Sequence, residues 1–137
     1  RNLQGLSTLM NLETLGLYDL RKLESLSGTE NLQNLRSLEI QACRKVQDLT
    51  PISALSNLNV LNLSDNGKIE SLTPVRSLGQ LEKLFFYGTT QIVDGQLDCL
   101  LGLPLQDISF QNRRHYSHTR EALQAHFKTK AKPESAQ

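Results

Sequence analysis

Apolar residues recur along this chain in one short phrase, apolar-x-x-apolar-x-x-apolar-x-apolar, in which x is mostly polar. Full copies begin at Leu9, Leu32, Leu55 and Leu78, and a shortened copy begins at Leu105. Each copy ends in apolar-x-apolar, and the first residue of this ending stands at positions 15, 38, 61, 84 and 108. The period is therefore 23 residues three times and then 24. That alternation predicts a short strand with one buried face. The period predicts a solenoid, because one such repeat buries its apolar face only against stacked neighbours.

The second half of each repeat has apolar residues at intervals of three, as at Val46, Leu49 and Ile52. This spacing favours short 3₁₀-like or extended turns on the convex side over a full α-helix, whose apolar face would recur at three and four. Thr50-Pro51 and Thr73-Pro74 fit such turns, because proline suits their first position.

One column of residues follows the phrase by three positions and comprises Leu20, Cys43, Asn66, Thr89 and Arg113. We expect this column to turn inward, where a small polar side chain such as that of Asn66 bonds the backbone of the turning loops. Cys43 and Thr89 are small enough for the same role, and Leu20 is expected to fill its site by packing. Arg113 cannot be buried without a partner, so we expect the repeat array to end near it.

The two ends of the chain depart from the repeat. Leu3 and Leu6 fit the columns of later return halves, so the chain starts within a repeat and we expect further residues before Arg1, either repeats or a cap. After the last repeat, Ser117 or Thr119 can cap a helix in which Leu123 and Phe127 form an apolar stripe. The predicted organisation is a repeat array over residues 1–113, a cap with a helix over 114–128, and a flexible tail over 129–137.

The segment from Leu49 to Asn66 resembles the internalin-like, short-repeat class of leucine-rich repeat proteins, and so does the segment from Leu32 to Leu49. The resemblance extends over roughly residues 1 to 113, or about four to five repeats of which the first is truncated. With the predicted helix, it implies an α/β leucine-rich repeat solenoid. A curved parallel sheet forms its concave side, short 3₁₀ or irregular turns form its convex side, and a capping helix closes the C-terminal end. The resemblance also implies a protein-interaction scaffold without catalytic residues of its own.

Composition narrows the functional classes. The chain has 15 basic and 14 acidic residues, a formal net charge of +1, which gives no strong attraction to nucleic acid or to an anionic membrane. Every apolar run is interrupted within a few residues, so no membrane span is predicted. Two cysteines do not make a disulfide framework, which favours a reducing, cytoplasmic compartment. No nucleophile elbow, phosphate-binding loop or paired-carboxylate motif is present, so we expect neither an enzyme nor a cofactor.

The x positions of the strands face outward on the concave side. There Phe85 and Tyr87, with Val60 on the strand before, form an apolar and aromatic cluster of the kind that anchors protein interfaces. An equally weighted alternative is that Phe85 packs on neighbouring strands or lies under the C-terminal segment. The predicted partner-binding residues on the concave face are Tyr18, Glu39, Val60, Asn62, Lys83, Phe85, Tyr87 and Asp107.

The sequence therefore predicts a non-catalytic protein-protein interaction module whose partner is another protein and which has no small-molecule substrate. Two alternatives stay open: the recognition domain of a larger enzyme or effector, and a small immunity or inhibitor protein that masks a toxin. Two further possibilities are less favoured. One is a metal site at His115, His118, His126 and Cys99, which is less favoured because these residues lack a recognised zinc motif. The other is RNA binding through Arg113, Arg114 and Arg120.

Overall fold

A computed structural model describes residues 3–6 and 8–135, with side chains described as far as residue 129 except that of Gln4. It contains strands β1 (Thr14–Tyr18), β2 (Ser37–Gln41), β3 (Val60–Asn62), β4 (Lys68–Ile69), β5 (Lys83–Phe86), β6 (Gln91–Ile92) and β7 (Asp107–Phe110), and helix α1 (Arg120–Ser135). Short 3₁₀ turns lie at Gln4–Leu6, Thr29–Asn31, Thr50–Ala54, Thr73–Ser77 and Asp98–Leu100.

The main sheet is parallel and takes one strand from each repeat, in the order β1-β2-β3-β5-β7. Its register pairs equivalent residues, so Leu15, Leu38, Leu61, Leu84 and Ile108 form one continuous row. Strands β4 and β6 form a second, two-stranded parallel sheet. The 3₁₀ turns complete the return halves, as the spacing by three predicts. The predicted solenoid with a parallel sheet and short 3₁₀ turns is thus confirmed.

The core is the space between the sheet and the turns, and the leucines of the phrase fill it. Leu38, Leu61 and Leu84 are 0% exposed, and each such side chain stabilises the fold by about 1.5–3 kcal/mol. Phe86 and Phe110 stack in neighbouring repeats with ring centroids 4.5 Å apart. At the N-terminal end of the described chain the enclosure is weaker, and Leu9 and Met10 are exposed.

Asn66 occupies the predicted inward site and is 0% exposed. Its Oδ1 accepts the N–H of Cys43 at 3.0 Å, and its Nδ2 donates to the carbonyl of Ile40 at 2.6 Å. Cys43 occupies the equivalent site one repeat earlier, where its Sγ lies 3.5 Å from the carbonyl oxygen of Leu17. These contacts connect the turning loops of successive repeats.

The prediction of the inward column is wrong at two positions. Thr90, not Thr89, is the buried residue of repeat four: its Oγ1 accepts the N–H of Asn66 at 2.9 Å and donates to the carbonyl of Leu63. Thr89 is exposed, although Gly88 before it has a positive φ, 68°, like its equivalents Asp65 and Ala42, at 59° and 57°. Leu20 does not fill its site by packing and is 39% exposed, since no described strand precedes β1 to enclose it.

Arg113 ends the predicted repeat array, and its Nη2 donates to the carbonyls of Gly88 at 3.0 Å and Thr90 at 3.3 Å. Thr119 is the helix cap, because its Oγ1 accepts the N–H of Ala122 at 3.0 Å. The half-buried Arg113 side chain thus has two carbonyl partners for Nη2, whereas its buried Nε has no hydrogen-bond partner among the described residues.

Helix α1 packs on β7 through the buried side chains of Leu123 and Phe127, so the predicted capping helix is confirmed. The helix continues to Ser135, seven residues beyond position 128, where the sequence analysis placed the end of the cap. Lys130, Ala131 and Lys132 of this extension favour helices, whereas Pro133 does not. The division into array, cap and tail stays a prediction.

Candidate functional site

The concave face of the main sheet contains all eight residues that the sequence analysis selected. The strand register aligns Thr14, Ser37, Val60, Lys83 and Asp107 in one column and Gly16, Glu39, Asn62, Phe85 and Ser109 in the next. Tyr18 ends β1, and Tyr87 directly follows β5. The fold therefore places these side chains on one continuous surface, while their binding role stays a prediction.

Phe85 and Tyr87 form an aromatic pair on this surface. Their rings are parallel to within 6°, with centroids 6.1 Å apart. Tyr87 is 43% exposed and Phe85 is half-buried. The strand alternation places both side chains on this outer face, because Leu84 and Phe86 point into the core. Phe85 thus has part of its surface against the sheet and part open to a partner.

A chain of hydrogen bonds runs across the same face, from Tyr18 to Tyr87. The hydroxyl of Tyr18 donates to Oε1 of Glu39, and Nδ2 of Asn62 donates to Oε2 of Glu39 at 3.1 Å. Ser64 Oγ donates to Oδ1 of Asn62 at 2.6 Å and accepts the backbone N–H of Tyr87 at 3.3 Å. These bonds hold the polar side chains in one arrangement before any partner arrives.

Tyr18 shows the electrostatic effect of this arrangement. The hydrogen bond to Glu39 raises the pKa of the Tyr18 phenol above its ordinary value, and desolvation and the charge of Glu39 act in the same direction. The phenol therefore stays protonated and neutral at physiological pH, where it serves as a donor to the carboxylate.

Two residues of this network, Ser64 and Gln41, were not selected from the sequence. Ser64 is buried, and Gln41 Nε2 lies 3.5 Å from Oε2 of Glu39. Both stand in the outward column that also contains Tyr18 and Tyr87, which is the signal by which they are found. Their small or neutral side chains gave no reason to prefer them.

The three histidines bond groups in and around the C-terminal cap, and Cys99 lies in the turn Asp98–Leu100. His115 Nε2 lies 2.8 Å from the carbonyl oxygen of Ile92, and His126 Nε2 lies 3.1 Å from that of Leu101. His118 Nδ1 lies 2.8 Å from Ser117 Oγ. Cys99 is buried, and desolvation is the main cause that raises the pKa of its thiol. Among residues 3–6 and 8–135, no group of three or more His, Cys, Asp or Glu side chains could hold a metal ion.

Two of the three arginines near the cap, Arg113 and Arg120, have partners within the chain. Arg120 forms a salt bridge with Glu121 at 2.9 Å, and Arg113 donates to the two carbonyls named above. Within the described residues, no helix is both long enough and apolar enough to cross a membrane.

Stacked strand-and-turn repeats with an aligned leucine row, an inward asparagine and a helical cap define the class: the chain is a leucine-rich repeat protein with an internalin-like fold. It superimposes on the crystal structure of internalin C2 from Listeria monocytogenes with a TM-score of 0.69 and 32% identity, over 79% of this chain and 46% of that one. For the internalin InlF of the same organism the TM-score is 0.64 at 27% identity, over 80% of this chain and 33% of that one.

The chain thus spans less than half the length of either internalin structure. No protein-family model matches the sequence, and no curated protein sequence matches it. The internalin-like class that the sequence pattern indicated is confirmed by these two structures.

Proposed function

We propose that this chain is a non-catalytic protein-interaction module that binds another protein through the concave face of its repeat array. The observation behind the proposal is the parallel pair of Phe85 and Tyr87, which stands partly exposed on a sheet face whose other side chains are mostly polar. Aromatic anchors surrounded by polar groups are typical of protein interfaces.

The hydrogen-bond network beside the pair gives a second reason. A surface whose side chains are already ordered loses little conformational entropy when a partner binds. Glu39, Asn62 and Ser64 hold one another in place, so the partner meets a preformed face. The likeness to internalins favours an interaction module over an enzyme in general terms.

The test is a capture experiment with an extract of the native host. Phe85→Ala and Tyr87→Ala are combined in one variant, and the bound proteins are compared with those of the wild type by quantitative mass spectrometry. Truncating an interface anchor typically costs about 2 kcal/mol or more, which is roughly a thirtyfold loss of affinity. We expect at least one wild-type partner to disappear.

Val93→Ala is the matched control. Val93 is another apolar residue, 50% exposed, that follows β6 in the second sheet and lies away from the concave face. This variant is expected to retain the partner. Thermal denaturation of each protein separates lost binding from lost folding. A partner that the folded Phe85/Tyr87 variant still captures at the wild-type level would refute the proposal.

A further inference from the structure

The carboxylate of Glu39 occupies an unusual position on the concave face. It is half-buried, and it accepts hydrogen bonds from the Tyr18 hydroxyl, from Asn62 Nδ2 at 3.1 Å and from Gln41 Nε2 at 3.5 Å. Tyr18 reaches it by lying over Gly16, where a Cβ would come within 2.6 Å of the tyrosine ring. Three side chains and one glycine therefore hold this carboxylate in a defined place.

All three donors are neutral groups, so none of them cancels the negative charge. No salt bridge joins Glu39 to a basic side chain in the described part of the chain. Lys83, on the same face, stands two strands away, a separation of about 10 Å. A fixed, half-desolvated carboxylate without a cation attracts a basic group from outside.

The register also places Glu39 relative to the aromatic pair. Glu39 aligns with Asn62 and then with Phe85, so two strand spacings, again about 10 Å, separate the carboxylate from the first aromatic ring. The two oxygens of a carboxylate together accept about four hydrogen bonds, and those of Glu39 accept three within the chain. Oε2 has two donors and Oε1 has one, so about one acceptor site remains on Oε1 for a donor from outside.

From this arrangement we infer that Glu39 determines specificity by binding an arginine or lysine side chain of the partner protein, while an apolar side chain of the same partner segment packs on Phe85 and Tyr87. The inference rests on the proposed function and adds the chemistry of the partner: a segment with a basic and an apolar side chain about 10 Å apart.

The experiment uses a library of random peptides displayed on phage as the probe and the whole chain as bait. Peptides selected by the wild type are expected to be enriched in arginine or lysine together with an apolar residue at a constant spacing. The tightest peptide is expected to bind Glu39→Gln at least tenfold more weakly, because the amide keeps the shape but lacks the charge. Added salt is expected to weaken binding to the wild type and to have little effect on Glu39→Gln.

Glu70→Gln is the control, since Glu70 is an exposed carboxylate directly after β4, outside the concave face. It makes the same change of charge and is expected to bind like the wild type. A second measurement changes the peptide, and its comparison on the wild type does not depend on how Glu39→Gln folds. Glutamine in place of the basic residue of the peptide should weaken binding to the wild type by the same factor, with no further loss on Glu39→Gln.

The possible results separate the inference from the proposed function. Peptides that need Phe85 and Tyr87 but show no basic preference, or bind Glu39→Gln as tightly as the wild type, overturn the inference and leave the concave-face proposal intact. A selection that yields no peptide dependent on Phe85 and Tyr87 overturns both.

Discussion

Asn66→Ala tests how consecutive repeats are held together. The Asn66 side chain is 0% exposed, and both of its polar atoms bond backbone groups in the preceding repeat. Its Oδ1 accepts the N–H of Cys43 at 3.0 Å, and its Nδ2 donates to the carbonyl of Ile40 at 2.6 Å. Alanine removes both hydrogen bonds in a site that is closed to water. The substitution therefore removes the polar link between two turning loops.

The expected effect follows from the two groups that lose a partner. Each buried polar group left unpaired costs about 1–3 kcal/mol, so the free energy of unfolding should fall by about 2–6 kcal/mol. A domain of this size has a total of about 5–15 kcal/mol, so the variant should fold but denature much earlier. Urea denaturation followed by circular dichroism measures the change through the midpoint and the slope.

Asn57→Ala is the matched control. Its Nδ2 also donates to a backbone carbonyl of the preceding repeat, that of Gln33 at 2.8 Å, but this bond is exposed. Water replaces the lost donor there, so the cost should be about 0.5–1.5 kcal/mol. If the two variants lose the same free energy of unfolding within about 0.5 kcal/mol, burial of the inward column is not what stabilises the stack, and the reasoning fails.

Two further predictions concern a turn and a titration. Gly88→Ala should lower the melting temperature more than Gly67→Ala. Both glycines have a positive φ, at 68° and 79°, but only at Gly88 would the added Cβ meet another atom, the Oδ1 of Asp65 at 1.9 Å. Equal melting temperatures would rule out that contact. For Tyr18, an ultraviolet titration should give a pKa above 10.0, which Glu39→Gln should lower. Since folding raises this pKa, the bond stabilises the fold below the unfolded value and is lost as the pH rises through the folded one. An unchanged titration in Glu39→Gln would contradict this.

Several features of the site were predictable because they depend on the period alone. The alternation around Leu84 and Phe86 places Phe85 and Tyr87 on the outer face, and the period of 23 aligns Glu39 with Asn62. Other features were not predictable. Thr89 and Thr90 are identical side chains one residue apart, and only the folded path of the loop after β5 decides which of them is buried.

The sequence by itself determined the repeat, the strands of the main sheet, their register and the side of that sheet on which each residue lies, because those properties follow from periods of 2 and of 23 or 24 residues. Tertiary structure alone decided what those residues do to one another. Leu20 is exposed because no described strand encloses it, Arg113 finds two carbonyls in another repeat, and Glu39 is held by Tyr18 and Asn62 from neighbouring strands. These side-chain contacts depend on side-chain conformations, which no local pattern specifies.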